Sequence, residues 1–292
     1  MSWRIIHVGN ESRLSLKQNN LSLIQGDQTF SLPLEDIGVL LVENRGTLLT
    51  GALLNACVQH KITVFICDEK YMPSGVLLGY QQHSRQVSAI KKQLQWSLPF
   101  KKQLWKKIVE QKILNQSEVF RLVKGEKSLK IQSYVNSVQS GDTTNREGAA
   151  AREYFQNILD IPAVRSFDNH INAALNYGYA VIRGVTSRSL SSYGFLTSVG
   201  IHHDSELNNF NLADDIIEPY RPYIDRFVFQ NISNVAGSLT KEDRISIVNL
   251  LTEPVVLLGK TYSLQRAIEI TVQSLVTSTD ESDPIKLLLP TL

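Results

Sequence analysis

Three short stretches of this chain carry side chains whose types and spacing suit work on a divalent cation. The first is Asn145-Arg146-Glu147-Gly148-Ala149-Ala150-Ala151-Arg152-Glu153-Tyr154-Phe155. Thr144 followed by Glu147 fits a capping box, which puts Glu147 in the first turn of a helix. A helix N-terminus favours an ionised carboxylate, and the small residues that follow leave room for a second backbone to approach. The second stretch is Gly200-Ile201-His202-His203-Asp204. The third, starting eight residues after His203, is Asn211-Leu212-Ala213-Asp214-Asp215-Ile216-Ile217-Glu218-Pro219. Read as a helix capped by Asn211, it sets Asp215 and Glu218 at i,i+3 and Asp214 and Glu218 at i,i+4. Three acids within five residues repel one another unless a cation or a basic partner neutralises them, and Pro219 removes the hydrogen bond its N–H would have given the Asp215 carbonyl. A mixed Glu/His/Asp/Glu set without cysteine suits magnesium or manganese better than structural zinc. Taken singly, the stretches also fit plainer roles: Glu147 as a helix cap, and the acids as a solvated face opposite Leu212, Ile216 and Ile217.

The elements that must hold these residues are helical. Beyond Gly79–Ser84 (GYQQHS), the best linker signal, apolar residues recur at helical spacing over 85–112, 116–124, 147–159, 168–183, 212–217, 241–251 and 264–276. Thr240 with Asp243 fits a helix start and Gly184 a helix stop. Before the linker the pattern is β-rich. Leu14 and Leu16 alternate with polar residues, Asn19-Asn20 supplies a turn, and Leu21 and Leu23 resume the alternation. Segments 29–34, 37–42, 62–67 and 76–78 read as further strands, and 48–60 as a helix. The expected architecture is therefore α+β: a small, β-rich, sandwich-like domain over 1–79, a linker at 80–85, and a larger all-α domain over 86–292 that carries the three stretches.

Several chemistries drop out. Gly259-Lys260-Thr261 resembles the end of a phosphate-binding loop, but Pro254 stands where its first glycine belongs, which argues against nucleotide hydrolysis. Neither HExxH nor GxSxG occurs. His7, His60, His83 and His170 are isolated and read as satisfied core or surface histidines. Cys57 and Cys67 cannot make a disulfide framework or a zinc site, and both fall on apolar elements as inert thiols. The 292 residues, 42% of them hydrophobic, suffice for about two domains at ~150 residues each. The N-terminus has no apolar signal region and no apolar run approaches a membrane span, which points to a soluble, cytoplasmic protein. The net charge of +2 hides an asymmetry. Residues 81–130 hold twelve Lys+Arg against three acids, a surplus of nine that leaves the other 242 residues at −7. Trp96, Phe100 and Trp105 lie among those lysines. Such a window suits a phosphate-tracking surface, or a solvated helix face whose aromatics pack inward.

In order and spacing, NREGAAAREYF from Asn145, ALNYGYAVIRG from Ala174, GIHH from Gly200 and NLADDIIEPYRP from Asn211 together resemble the integrase of the CRISPR spacer-acquisition module. The wording FNLADDIIEPYRP is similar to the subgroup found beside the large single-effector RNA-guided nuclease. The resemblance implies a metal-dependent DNA endonuclease and integrase, in which a DNA 3′-hydroxyl attacks a phosphodiester at the edge of a repeat. By position it assigns metal binding and catalysis to Glu147, His203 and Glu218, with Asp215 as a candidate outer ligand and His202 as the alternative to His203. It further implies one Mg²⁺ or Mn²⁺, double-stranded DNA as substrate, a homodimer, and a small ferredoxin-like partner dimer. On this reading Arg146 contacts phosphate, and Lys101, Lys102, Lys106 and Lys107 hold the DNA backbone. A nuclease that cuts branched DNA in repair, and a non-catalytic DNA-binding scaffold, are the competing readings.

Overall fold

The computed structural model describes residues 4–80, 83–158, 170–232 and 239–292. Residues 81 and 82 of the expected linker, and the expected helical positions 159, 168 and 169, lie outside them. The chain divides into two compact units, Met1–Ser84 and Arg85–Leu292.

The first unit contains β1 (Arg4–Val8), β2 (Arg13–Lys17), β3 (Asn20–Gln25), β4 (Gln28–Pro33), β5 (Ile37–Val42), β6 (Leu48–Leu49), α1 (Gly51–Gln59), β7 (Thr63–Cys67) and β8 (Pro73–Val76). They form two four-stranded sheets, in the orders β1-β5-β7-β8 and β4-β3-β2-β6. Strand β5 is parallel to both β1 and β7, with α1 in the crossover to β7, so its run of six apolar residues is buried throughout. The β2–β3 turn is Gln18-Asn19, both at positive φ (49° and 60°), as a two-residue hairpin turn requires. It sits one residue before the expected Asn19-Asn20, because Asn20 already pairs with Lys17. The last strand begins at Pro73, earlier than the expected 76–78. Leu14, Leu21, Ile37, Leu40, Leu53 and Val64, drawn from both sheets and α1, share one core. Cys57 and Cys67 are buried and not joined in a disulfide, and burial pushes the Cys57 thiol up to about 11, so it stays unreactive.

The second unit contains α2 (Gln86–Leu94), α3 (Leu98–Lys124), α4 (Leu129–Val135), α5 (Arg146–Ile158), α6 (His170–Ser192), α7 (Asn211–Ile217), α8 (Arg221–Asn231), α9 (Lys241–Asn249), β9 (Pro254–Leu257), β10 (Lys260–Ser263) and α10 (Leu264–Glu281). Three of the departures from the expected helix limits have a visible physical cause. The first is an earlier break, at 95–97, where Ser97 Oγ accepts from the Phe100 N–H (3.3 Å) and Pro99 occupies the first turn of α3. The second is the absence of a break at 115. The Asn115 amide is committed to the carbonyls of Pro219 (2.8 Å) and Pro290 (3.1 Å), so it does not compete for the helix backbone. The third is α6, which runs through Gly184 to Ser192. Burial on nearly every side outweighs the roughly 1 kcal/mol helix penalty of a glycine.

The unit is not all-α, since β9 and β10 pair as a hairpin. Leu258 and Gly259, at φ 51° and 70°, make its turn, so Gly259-Lys260-Thr261 closes a hairpin and cradles no phosphate. The Thr240–Asp243 capping box is present at the start of α9. His170 is a satisfied core histidine, its Nε2 lying 3.1 Å from Asp243. Among the described residues no helix is long and apolar enough to cross a membrane. Helix α3 is the hub of the unit, packing on α4, α5, α7 and α8.

Candidate active site

Glu147 is presented by an unusual helix start. Asp142 accepts the N–H groups of Arg146 (2.8 Å) and Glu147 (2.9 Å), while Asn145, at φ 50°, accepts that of Gly148 (3.1 Å). These three acceptances satisfy the orphan donors of α5, so the expected Thr144–Glu147 capping box does not form. Thr144 Oγ1 instead accepts from Arg146 Nε (3.1 Å) at the exposed rim. Freed from capping, the Glu147 carboxylate meets α3, where Lys112 Nζ donates to Glu147 Oε1 and also to Glu218 Oε2. Two carboxylates far apart in sequence thus converge on one ammonium.

Burial by itself would lower the Lys112 pKa, but Glu218 and Glu147 outweigh it and hold the ammonium above its ordinary value. Burial likewise works to raise Glu218. Arg221 and Lys112 override it and bring the carboxyl down to about 2. Arg221 Nε lies 3.0 Å from Glu218 Oε1, and its guanidinium sits 4.6 Å over the Tyr179 ring. Tyr179 in turn donates to Asp225, a buried carboxylate.

The histidine loop is built around Asp215. Upstream, Gln93 on α2 fixes the chain by donating to the carbonyls of Leu196 (2.9 Å) and Val199 (2.8 Å). Gly200 follows because nothing larger fits: a Cβ there would stand 2.2 Å from the His203 carbonyl and 2.8 Å from Asp215 Oδ2. Asp215, fully buried, accepts the N–H groups of Ile201 (2.6 Å), His202 (3.0 Å) and His203 (3.2 Å), and also meets His203 Nδ1 at 2.7 Å. Asp215, the candidate outer ligand, has both its oxygens committed to the histidine loop. It fixes the His203 ring and leaves Nε2 as the nitrogen with chemistry to offer. The Asp215 hydrogen bond raises the His203 pKa above its ordinary value against the opposing effect of burial. His202 is placed differently. Its ring stacks on Trp105, centroids 4.2 Å apart and planes 1° from parallel, with His203 edge-on to the same indole at 5.7 Å.

The acidic stretch is no solvated face: Asp214, Asp215 and Glu218 are all buried. Each has its own partner, which is how three acids in five residues coexist. Asp214 takes Arg183 Nε (2.6 Å) and Asn208 Nδ2 (2.8 Å), Asp215 takes the histidine loop, and Glu218 takes Lys112 and Arg221. Asn211 does not cap α7; its amide donates to the carbonyls of Ser198 and Ser205, both at 3.0 Å.

The lysine group divides. Lys107 donates to the carbonyls of Ile285 (2.7 Å) and Pro284 (3.4 Å), and desolvation lowers its pKa, so it anchors the C-terminal tail. Lys106 lies 3.6 Å from Glu110, the Lys102 stem passes beneath Gly141, and Lys101 is half-buried on the same helix. Trp105 packs inward.

Among the described residues no three His, Cys, Asp or Glu side chains are closed up as a coordination sphere, since Lys112 takes the point where Glu147 and Glu218 meet. The donor set nonetheless fits a hard divalent ion: two carboxylates already gathered on one cation, and an imidazole oriented by a buried carboxylate and electrostatically coupled to Glu218. A cavity of about 260 Å³ opens beside them, lined by Lys112, Gln116, Glu147, Arg152, Tyr179 and Arg221. Sequence reasoning missed Lys112, Asp142, Gln93 and Arg221 as parts of this assembly. Lys112 carried a legible signal, because it falls on the apolar stripe of α3 with Leu104, Ile108, Val109 and Val119, where a lysine is rare unless paired.

The family model described as CRISPR associated protein Cas1 matches residues 6–246. The chain is 40% identical over 293 residues to a CRISPR-associated endonuclease Cas1 of Neisseria meningitidis, covering 99% of this chain and 96% of the relative. It is 26% identical to a Saccharolobus solfataricus CRISPR-associated endonuclease, Cas1 2, over 78% of this chain and 76% of the relative. Among solved structures, a casposase bound to integration product superimposes with TM-score 0.75 at 19% identity, covering 95% of this chain and 90% of that one. A Cas1 protein from Thermotoga maritima gives TM-score 0.75 at 16% identity, over 95% and 97% of the two chains. These structural likenesses establish the fold, and the sequence matches establish the family: the chain belongs to the CRISPR associated protein Cas1 family.

Proposed function

We propose that this protein is a metal-dependent DNA integrase of CRISPR adaptation, joining the 3′-hydroxyl ends of a short duplex to a repeat by transesterification. The observation that carries the reading is the convergence of Glu147 and Glu218 on one cationic group beside a histidine held by Asp215. Glu147, Glu218 and His203 Nε2 would hold the ion, two negative charges and one neutral nitrogen balancing a single divalent cation. Magnesium or manganese there would polarise the scissile phosphate and stabilise charge on the attacking and leaving oxygens. Asp215 fixes the ring of His203, and Arg221 holds Glu218 from its other oxygen. Arg146, at the rim, with Lys101, Lys102 and Lys106 along α3, would grip the DNA backbone. The bond formed replaces the bond broken, so no nucleotide is consumed. Structural relatives support the wider setting. One is described as a casposase bound to integration product and another as a Cas6-RT-Cas1--Cas2 complex, which matches 98% of this chain at 22% identity with TM-score 0.73. We extend this to a homodimer that works with a small ferredoxin-like partner in the cytoplasm.

The test incubates the protein with a duplex bearing free 3′-hydroxyls, a repeat-bearing plasmid and Mg²⁺ or Mn²⁺. Joined product is expected from the wild type and from neither Glu147→Gln nor His203→Ala. Joining by His203→Ala overturns the site. Cleavage of branched DNA without joining favours a repair nuclease, and absence of both activities in the wild type favours a scaffold.

A further inference from the structure

The ligand set has no place for Lys112, yet Lys112 is the group that closes it. It is a buried lysine whose ammonium donates to both Glu147 and Glu218. An ammonium is a compact point charge with three donors, the side-chain group nearest in character to a small cation. Arg221 cannot do the same work, because its contact is to Glu218 Oε1 and does not bridge to Glu147. Without positive charge between them the two carboxylates would repel. The cavity beside the pair is lined by Lys112 together with Gln116, Phe155, Tyr179 and Asp225, so the four-carbon stem has space to turn into and a carboxylate on its wall.

We propose that Lys112 is a built-in stand-in for the divalent cation: with no ion bound it gathers Glu147 and Glu218 at one point, and it withdraws into the adjoining cavity when an ion takes that point. The inference rests on the reading of those carboxylates as metal ligands. It makes the lysine both organiser and competitor. The carboxylates are pre-gathered, but every binding event must first break one buried and one half-buried ion pair, which lowers the apparent affinity to the fraction of molecules in which the lysine has moved aside.

The test is calorimetric titration of Mn²⁺ into the full chain as wild type, Lys112→Met and Lys112→Arg, with melting temperatures measured with and without the ion. Lys112→Met keeps an apolar stem and removes the charge. It is expected to bind Mn²⁺ at least about tenfold tighter than wild type. Its metal-free form should melt lower, and Mn²⁺ should raise its melting temperature by more. Lys112→Arg, which keeps a cation in place, should bind no tighter than wild type. Equal or weaker Mn²⁺ binding by Lys112→Met overturns the proposal. Failure of Mn²⁺ to bind any of the three, wild type included, overturns instead the metal-site reading beneath it. Wild-type protein provides an arm that does not depend on the variant folding: acylation of Lys112, read by mass spectrometry, should rise on saturation with Mn²⁺. Unchanged or reduced acylation counts against the withdrawal.

Discussion

In the β unit the interior is a shared layer of Leu14, Leu21, Ile37, Leu40 and Val64, and among the described residues Glu43, beside His7, is its buried charge. In the helical unit Lys112, Asp214, Asp215, Glu218 and Asp225 lie as deep as the leucines around them. Apolar burial contributes about 25 cal/mol per Å² whatever the detailed pairing. Buried charges offset their desolvation only when each finds its partner, and breaking one pair costs more than the pair contributes. The first interior therefore secures folding, while the second trades stability for a fixed arrangement of ionisable groups.

Substitutions can break or sharpen that contrast, taken here from the largest expected effect downward. Glu147→Gln should reduce strand joining by roughly 10³-fold, the several kcal/mol a metal contributes to transition-state stabilisation, with the far-ultraviolet circular dichroism unchanged. A variant that keeps near-wild-type joining would dissolve the distinction between the two interiors. Leu40→Ala should do the reverse, lowering unfolding free energy by about 2–5 kcal/mol in denaturant titrations while leaving joining per folded molecule intact. Asp215→Asn should weaken Mn²⁺ binding by about 10–100-fold, the usual cost of losing the group that orients a ligating histidine. An unchanged titration would mean that the loop backbone alone holds His203.

Acid supplies a subtler probe. A carboxyl held at about 2 against an ordinary 4.5 contributes stability that is complete above 4.5 and fades as the pH falls through about 2. The stability gap between wild type and Glu218→Gln should therefore be widest at neutral pH and shrink across that window, as followed by urea midpoints. A gap independent of pH would place the effect elsewhere than in the ion pairs. The smallest effect concerns the lysines. Lys101→Ala with Lys106→Ala should flatten the salt dependence of DNA binding by about 0.9 per lost phosphate contact. Lys107→Ala, by contrast, should lower the melting temperature and leave that slope alone.

Legibility in the sequence followed the same division. Strand β5 was readable as an unbroken apolar run, the β2–β3 hairpin as alternation around a turn, and α9 from its capping pair, because each depends on local periodicity or local hydrogen bonds. The continuity of the long helices was not readable, since Asn115 is committed to carbonyls distant in the chain and Gly184 is held in a helix buried on nearly every side. The site divided likewise. Glu147, His203 and Glu218 could be named by motif, and Gly200 has a steric reason to precede His203 by three residues. The roles of Lys112 and Asp142 arise where separate helices meet, which no window of sequence contains. Asp215 illustrates both sides, an acid visible in the motif whose four hydrogen bonds only the folded loop reveals.

The coplanar seat of His202 on Trp105 has a practical consequence. Indole emission depends on what lies against the ring, so any shift of the histidine loop alters the brightness of a native chromophore. With Trp3→Phe and Trp96→Phe removing the other two indoles, the protein would report on the movement of that loop in real time, with no dye attached.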